Sequence, residues 1–372
     1  MEQQYKRIYY LDLMKSIAII SVVFYHGVLP QITMTGTMKF YSYYFLQAFA
    51  AVATPLFFFV NGFLLFNKEL DLHKHISRII RMMVLTVIWG GITIISLMLI
   101  RKEILSVGEF LKTLWQFKEN WISHLWYMGE LICIYLFFPV FYYAYQKKAS
   151  ILVYFVCIGA IIIFGNAFVN EIMTMLSILV KHPVRIWNSR NNINNYQKIK
   201  GKNIFNMFNP FKDVNSYALI YFCCGGIIYR YQEKFKNFMS NKKWIFVAII
   251  LLDTCFLFMC GIMYTKLNHN LWEIGWYGKE TIFTFINVLA IYTLCMNYNK
   301  SNKVIELISK NTLGIYLIHI PVLRFIEQII DVKIITTNIC ISFLYTGIVV
   351  IITLLLSLGI KKLPIVNGLL RF

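Results

Sequence analysis

Acidic residues are scarce in this sequence of 372 residues. Asp and Glu together number 17 against 36 Lys and Arg, which gives a formal net charge of +19. In a soluble chain such an excess would indicate a nucleic-acid partner. No RNA- or DNA-binding motif accompanies it, so we expect no nucleic acid. In a membrane protein the first question is on which side of the bilayer the basic residues lie.

Few polar residues interrupt the apolar stretches of the sequence. Hydrophobic residues make up 59% of the chain and the mean hydropathy is +0.62, more than a soluble domain carries. Apolar windows of about 20 residues, long enough for a helix to cross a bilayer, recur along the whole chain. Neither the alternating pattern of a β-barrel nor an internal repeat is visible. The composition therefore predicts an all-α integral membrane protein embedded in a lipid bilayer.

The eight cysteines show neither metal-ligand spacing nor a disulfide framework. Most lie inside apolar segments, where a buried thiol packs as a small hydrophobic residue. We therefore expect no metal site and no permanently bound cofactor. The first apolar segment lacks a small-residue cleavage site and contains Asp12, Lys15 and His26. It is expected to stay as a membrane helix and not to be cleaved as a signal peptide.

About ten segments are long enough to be transmembrane helices. They lie near residues 10–30, 43–66, 77–100, 124–145, 150–169, 215–231, 244–264, 280–298, 311–330 and 336–360. The basic residues of the short connections concentrate on the side of the N-terminus, which predicts an N-in/C-in orientation. We expect one membrane domain over 1–372 with a hydrophilic outer loop at about 170–214. That loop either holds an anionic glycan or lipid-linked phosphate, or is an irregular insertion without a role.

The first segment carries two ionisable residues, Lys15 and His26. They are eleven positions apart, so they lie within about 20° of one helical face and about 16 Å apart along the axis. Ionisable groups inside a membrane are costly and therefore become functional candidates. Lys15 is expected near the cytoplasmic entrance and His26 toward the outer half, where an elongated substrate would contact both. The alternatives are a Lys15 that snorkels to the headgroups and a His26 that is a packed core residue.

Two arginines stand at the beginning of the third segment. Arg78 and Arg81 share a face at i and i+3, where a helix is predicted to begin near residue 77. Free backbone N–H groups and positive charge together favour an anion there, and arginine binds phosphate bidentately. We predict a phosphate site. The positive-inside rule alone explains the basic residues but not their pairing on one face.

The fourth segment opens with polar and aromatic residues. His124 is expected at the outer interface, with Trp126 and Tyr127 in an aromatic belt. Glu130 lies one turn deeper on the face of Trp126. A lone carboxylate at that depth needs a polar cavity or a partner, which makes it a candidate functional residue.

Two later segments also contain buried polar residues. Tyr316 and His319 share a face at i and i+3 in the ninth segment, where they form either a buried polar pair or a catalytic one. Asp253 stands alone in the seventh segment, and the sequence assigns it no partner.

These segments, in this order, resemble the acyltransferase type 3 family of membrane acyltransferases. The matching stretches are LDLMK at 11–15, the Lys-x10-His spacing from Lys15 to His26, PLFFFVNGFLL at 55–65, the Arg-x-x-Arg motif at 78–81, HLWYMGELICIYLFFP at 124–139 and TLGIYLIHIP at 312–321. Each pattern is weak alone, whereas the ordered set covers the chain from end to end. Asn61 departs from the family, which commonly has serine before this glycine.

The resemblance implies a ten-helix enzyme of the bacterial plasma membrane. Such an enzyme takes an acyl group other than an aminoacyl group, usually acetyl, from cytoplasmic acyl-CoA. It delivers the group to a hydroxyl of a surface polysaccharide, peptidoglycan or lipid-linked glycan, and glycan-assembly proteins would be partners. The sequence shows no appended extracytoplasmic hydrolase-like domain, so handover is expected in the membrane domain or on a separate partner.

At the level of single residues, the resemblance implies that His26 is the catalytic histidine and Lys15 the donor-side cation. It also implies that Arg78 and Arg81 form the CoA-phosphate site. Neutral histidine takes a hydroxyl proton near pH 7, and a covalent acyl-histidine is the alternative. The remaining catalytic candidates are Glu130, Tyr316 and His319. Donors to the developing oxyanion are sought among Tyr316, His319, Trp126 and His124.

Two rival functions stay open at the level of sequence. In a glycan exporter or ion-coupled transporter, the buried ionisable residues would form a proton relay or substrate path; these are Asp12, Lys15, Glu130, Asp253 and His319. Inverted repeats would favour a transporter, and none is visible. A membrane sensor or assembly partner with a degenerate site is the third hypothesis.

Overall fold

The computed structural model of the protein describes residues 7–29, 36–179, 215–239, 242–268 and 270–362. Every regular element within these ranges is helical. In chain order the α-helices are α1 (Tyr9–Gly27), α2 (Met38–Ala50), α3 (Ala53–Phe66), α4 (Leu72–Arg101), α5 (Val107–Trp115), α6 (Trp126–Lys147), α7 (Ala149–Ala160), α8 (Asn166–Leu179), α9 (Ser216–Met239), α10 (Lys243–Asn268), α11 (Ile274–Tyr277), α12 (Ile282–Cys295), α13 (Lys303–Lys310), α14 (Thr312–Glu327), α15 (Val332–Ile335) and α16 (Ile339–Ile360). A π-helical turn, Ile161–Gly165, joins α7 to α8, and 3-10 turns cover Ser123–Leu125 and Gly278–Glu280.

Six helical stretches within the described ranges are long and apolar enough to cross a membrane. They are Met38–Phe66, Leu72–Arg101, Ser123–Lys147, Ala149–Met173, Lys243–Lys266 and Ile339–Ile360. The all-helical, multi-pass membrane architecture is therefore confirmed. Helices α1, α9, α12 and α14 occupy the other predicted segments. The count of ten and the N-in/C-in orientation stay predictions.

Two stretches that the sequence analysis assigned to connections are helical. Helix α8 continues to Leu179, so residues 170–179 belong to a helix and not to the predicted outer loop. The rest of that loop, 180–214, lies outside the described residues. The short helix α5 begins with a capping box, in which Ser106 and Glu109 each satisfy the other's backbone N–H. This Ser-x-x-Glu pattern is a helix-start signal that the sequence analysis missed.

The surfaces that face outward on the long helices are apolar. Leu99 and Leu344, for example, are 75% and 66% exposed, as expected for side chains that face lipid. Four cysteines lie on exposed surfaces, namely Cys133, Cys157, Cys255 and Cys340, so the prediction of buried thiols is wrong for these four. Apolar neighbours do not predict burial in a membrane protein, because the lipid-facing surface is as apolar as the core.

The chain divides into two compact units. The first comprises Met1–Ile32, Lys68–Gln146 and Tyr298–Phe372, and the second comprises Thr33–Asn67 and Lys147–Asn297. Each unit is described below by itself. The expected single domain stays a prediction.

In the first unit, α1 packs against α13, α14 and α16, and α14 also packs against α4 and α16. The buried face of α1 includes Leu11, Met14, Ala18 and Val22, which recur at the three- and four-residue spacing of one helical stripe. Helices α1, α14 and α16 meet near Gly27. A methyl group there would lie 2.8 Å from the side chain of Leu323 and 3.1 Å from that of Tyr345.

A buried polar network fastens the beginning of α1 to α13. The Asp12 carboxylate accepts hydrogen bonds of 2.6 Å from both Ser309 Oγ and Arg7 Nε. Arg7 also pairs with Glu306, Nη1 to Oε2, at 3.3 Å. A carboxylate with both oxygens satisfied can be buried without its full desolvation cost. Asp12 therefore acts here as a structural anchor.

In the second unit, the backbones of α3 and α9 are in direct contact. A methyl group on Gly62 would lie 1.8 Å from the carbonyl oxygen of Phe222, and one on Gly225 would lie 2.1 Å from that of Phe59. Small residues that let two backbones approach are the usual means of packing helices in membranes. The family segment at 55–65 therefore has a packing role, with Gly62 at its centre.

Candidate functional site

Three histidine rings from three elements of the first unit lie side by side. His26 stands in the last turn of α1, His124 in the 3-10 turn before α6, and His319 in the middle of α14. The ring centroids of His26 and His319 are 5.3 Å apart, and those of His124 and His319 are 5.5 Å apart. An N–H···N bond between two imidazoles needs a centroid separation of about 5 Å. The ring separations are close to this value, but the Nε2 atoms of His124 and His319 make no hydrogen bond within the described ranges.

The central ring, His319, is held in one tautomer. Its Nδ1 lies 2.5 Å from the carbonyl oxygen of Tyr316, one turn earlier in α14. Because a carbonyl oxygen only accepts, Nδ1 carries the proton and Nε2 carries a lone pair. Nε2 is buried and has no hydrogen-bond partner within the described ranges. His319 thus presents a basic nitrogen in a site closed to water.

His124 is buried against a neighbouring helix. Only 4% of its surface is exposed, and its Nε2 has no partner among the described residues. The 3-10 turn Ser123–Leu125 places the ring next to His319 of α14, and its position at the outer membrane interface stays a prediction. Its imidazole is thereby fixed edge-on to His319, at an interplanar angle of 88°.

Tyr316 holds this arrangement together through its hydroxyl group, which donates to the carbonyl oxygen of His124. The rings of Tyr316 and His319 are 5.8 Å apart between centroids, and both side chains hydrogen-bond to backbone oxygens. The ring of Tyr316 also packs edge-to-face against Tyr127, with centroids 5.5 Å apart. Since its proton is engaged, Tyr316 suits a positioning role better than that of an oxyanion donor.

The other polar candidates lie on α6 and α10. Trp126 is the first residue of α6, and Glu130 lies half-buried one turn later. The catalytic role of Glu130 stays a prediction. On α10, the Oδ2 atom of Asp253 is buried without a hydrogen-bond partner among the described residues, so the structure gives this residue no role either.

The two predicted donor-side sites are linked by a cation that the sequence analysis missed. Lys15 is half-buried on α1 and lies within the electrostatic reach of Lys68. Lys68 in turn lies within the electrostatic reach of Arg78, and partial burial together with this arginine lowers the pKa of Lys68. Lys68 precedes α4 in the connection from α3, where a single lysine gave no periodic signal. An anion bound among these cations would offset their mutual repulsion, so they are a candidate anion-binding site.

Arg78 and Arg81 lie further along their helix than predicted. Helix α4 begins at Leu72, and Asp71 caps it by accepting a hydrogen bond from the backbone N–H of Lys74. The free N–H groups therefore lie about 9 Å from Arg78 along the axis. The argument that a helix start assists these arginines is wrong. Any anion at Arg78 and Arg81 must be bound by their side chains.

No group of three or more His, Cys, Asp or Glu side chains in the part of the chain that the structure describes is arranged to hold a metal ion. The three histidines form two adjacent ring pairs around His319 and do not converge on one point. Their arrangement places the imidazole of His319 beside each of the other two rings.

Comparison with known proteins identifies one family. A family model described as an acyltransferase domain matches residues 8–358, nearly the whole chain. The match includes all three histidines, Lys15, Lys68 and both arginines. No curated protein and no solved structure matches the chain.

Proposed function

The chain belongs to this acyltransferase family, and we propose that it is a membrane O-acyltransferase. Its donor is cytoplasmic acyl-CoA, with acetyl as the acyl group, which binds as a substrate and not as a resident cofactor. Its acceptor is a hydroxyl group of an extracytoplasmic or lipid-linked polysaccharide. A bacterial plasma membrane, with glycan-assembly proteins as partners, is the setting that suits this reaction.

The histidine cluster is the observation that carries the proposal. Acyl transfer to an alcohol needs a base for the hydroxyl proton, and imidazole is the side chain best suited to this near pH 7. His26 is the ring of the cluster on α1 that carries the family motif, and it is only partly buried. The unprotonated Nε2 of His319, in the adjacent ring, would stabilise His26 once His26 becomes positively charged.

In the proposed reaction a carbon–oxygen bond forms and a carbon–sulfur bond breaks. His26 takes the proton of the acceptor hydroxyl while that oxygen attacks the thioester carbonyl and forms a tetrahedral oxyanion. The oxyanion collapses, the carbon–sulfur bond breaks, and the CoA thiolate accepts from His26 the proton that came from the acceptor hydroxyl. An ester and free CoA result. The neutral ring of His319 stabilises the positive charge that His26 holds in between, and Tyr316 keeps His124 packed against His319.

The cationic residues Lys15, Lys68, Arg78 and Arg81 would hold the phosphates of CoA. CoA carries several negative charges, which match a group of cations that repel one another when no anion is bound. Lys15 and His26 belong to one helix and are about 16 Å apart along its axis. That distance suits an elongated donor that is bound by its nucleotide end and reacts at its thioester end.

The proposal is tested by comparing surface glycans from cells that express proteins differing only at His26. Wild type and His26→Ala are expressed in a host that lacks the native protein, and alkali-labile acyl groups on surface glycans are measured. We expect acyl groups with the wild type only, at equal amounts of membrane-inserted protein. Equal acyl content with wild type, with the variant and with neither would refute the enzyme function.

The donor site is tested separately through acyl-CoA binding. The double change Arg78→Ala and Arg81→Ala should weaken the affinity for acyl-CoA by at least tenfold, because each lost charged contact is worth about 1.5–3 kcal/mol. Arg101→Ala is the matched control, since Arg101 packs on Trp121 at the other end of α4. Unchanged acyl-CoA affinity in the double variant would remove the phosphate-site assignment.

A further inference from the structure

A second polar group of the first unit lies beyond the histidine cluster on the same helices. Helix α14 continues past His319 to Glu327, about 12 Å further along the axis. Helix α16 packs against it, and Gly27, the residue after His26, contacts Leu323 of α14 and Tyr345 of α16. The junction at Gly27 therefore connects the histidine cluster with the polar residues at the end of α14.

The carboxylate of Glu327 is only half satisfied. Its Oε2 accepts a 2.5 Å hydrogen bond from Arg324, while its Oε1 is buried and has no partner among the described residues. Only 11% of this side chain is exposed. A buried carboxylate oxygen without a donor is costly, so this atom marks a place where a hydrogen-bond donor is expected to bind.

Tyr345 lies on α16, next to the same part of α14. It is 5% exposed, its hydroxyl group is buried, and this hydroxyl has no partner within the described ranges. A methyl group at Gly27 would lie 2.8 Å from Leu323 and 3.1 Å from Tyr345. Glu327 follows Leu323 by one turn on the same face of α14, so Tyr345 and Glu327 lie near one another. The region therefore offers a carboxylate acceptor and a hydroxyl that both donates and accepts.

We propose that Arg324, Glu327 and Tyr345 form the acceptor subsite, which binds the hydroxyl groups of a neutral sugar of the acceptor glycan. This inference rests on the proposed function and specifies its acceptor. The distance of about 12 Å from His319 exceeds the length of one sugar ring, so the subsite holds a different sugar of the chain from the one that is acylated. The enzyme should then favour oligomeric over single-sugar acceptors.

The charges at the subsite select against anionic groups. The guanidinium of Arg324 is already neutralised by Glu327, and the unpaired lone pairs of Oε1 repel a phosphate or carboxylate. A hydroxyl donor satisfies Oε1, and its own oxygen accepts from Tyr345. Adjacent hydroxyl groups of a sugar provide these bonds together, whereas a lipid phosphate does not.

The acceptor itself is the probe for the test. Surface glycan is isolated from host cells that lack the protein, and acyl transfer from acetyl-CoA to this glycan is measured at increasing glycan concentration. The proteins compared are wild type, Tyr345→Phe, Glu327→Gln and the control Tyr145→Phe, all in membrane vesicles. Tyr145 is a buried tyrosine of the same unit, at the end of α6 away from α14 and α16.

Loss of one buried hydrogen bond should raise the KM for the glycan about tenfold. In Tyr345→Phe and Glu327→Gln we expect this increase while kcat at saturating glycan and the KM for acetyl-CoA stay within twofold. Tyr145→Phe should match wild type. Hydrolysis of the glycan to single sugars should abolish the difference, because single sugars do not reach the subsite and the reacting position together.

Two results would overturn the subsite. A KM for the glycan within twofold of wild type in both variants would show that the polar groups bind only water or nothing. A fall in kcat at unchanged KM would place them in the chemistry and not in acceptor binding. Failure of the wild type to acylate the glycan, with His26→Ala no different, would instead refute the proposed function on which the subsite rests.

Discussion

The helix contacts of the two units are built in opposite ways. In the second unit, α3 and α9 meet backbone to backbone, with Gly62 against the carbonyl oxygen of Phe222 and Gly225 against that of Phe59. In the first unit, α1, α14 and α16 meet around His26, His319 and Tyr345, and Asp12 joins α1 to α13. The five histidines that the structure describes, at positions 26, 73, 75, 124 and 319, all belong to the first unit.

The two units thus show two kinds of contact between membrane helices, one for packing and one for function. Between helices in lipid, close packing of small residues stabilises an interface without polar groups. Polar groups in hydrocarbon are costly and persist where they bind or react. We therefore expect substitutions at the α3–α9 contact to affect folding, and substitutions at the histidine cluster to affect acyl transfer while the protein stays folded.

The largest effect is expected at His319. Replacing it by alanine removes the basic nitrogen beside His26 and should lower the rate of acyl transfer by about 10²–10⁴-fold, the usual contribution of a proton-transfer group. The yield of folded protein should stay near that of wild type. The exposed His73→Ala is the matched control. A His319→Ala protein that transfers acyl groups at the wild-type rate would remove this residue from the site.

The next effect concerns Gly62. Its replacement by alanine forces two backbones apart, so the cost should reach or exceed the upper end for overpacked cores, about 3 kcal/mol. Gly347→Ala is the matched control, because nothing lies within 4 Å of a methyl group there. Thermal unfolding in detergent should show a much lower transition for Gly62→Ala alone. Equal transitions in the two variants would contradict the backbone contact.

A buried lysine makes the second unit sensitive to pH. Lys279 lies with its ammonium nitrogen 3.9 Å from the ring centre of Trp276, and burial lowers its pKa to about 7 against the opposing effect of Glu273 and Glu280. The unfolded chain keeps its proton up to about pH 10.5, so between these values it binds more protons than the folded protein. The free energy of unfolding should therefore rise with pH, by about 2 kcal/mol from pH 7 to 9.

Lys279→Met should flatten this part of the pH profile, and Lys266→Met is the control at an exposed position of the same unit. The measurement is the unfolding temperature at several pH values between 7 and 9. A profile that is as steep in Lys279→Met as in wild type would assign the pH dependence to other groups.

The smallest effect is expected at the anchor of α1. Ser309→Ala removes the 2.6 Å hydrogen bond to the buried Asp12 carboxylate, which should cost about 1–2 kcal/mol of stability. Acyl transfer should stay within a fewfold of wild type, because the anchor lies at the opposite end of α1 from His26. Ser150→Ala, at an exposed position of α7 outside this network, serves as the control. A selective loss of acyl transfer without a change in stability would mean that the network acts in catalysis.

The helical fold class and the position of His26 on α1 could both be predicted from the sequence. Apolar run length and the Lys-x10-His spacing are local properties, and the structure preserves them. Helix starts were less accurate. The beginning of α4 was predicted five residues late, because His73, Lys74 and His75 are too polar to extend an apolar run. The argument for a helix start at Arg78 failed with it.

The assembly of the site depended on contacts that no local pattern encodes. His124 was predicted at the membrane interface, and only the 3-10 turn shows that it is buried against His319. Tyr345 and Glu327 lie on different helices, and their shared region follows from the packing of α14 against α16. Helix periodicity gives the face of a residue but not the neighbouring helix that covers it.

The central claim is that the histidine cluster transfers an acyl group from acyl-CoA to a glycan. The most direct measurement follows labelled acetyl groups from acetyl-CoA to isolated surface glycan in membrane vesicles that contain wild type, His26→Ala or His319→Ala. Label should appear on the glycan with wild type and fall to background with His26→Ala, at equal amounts of folded protein. Equal labelling by wild type and His26→Ala would contradict the account.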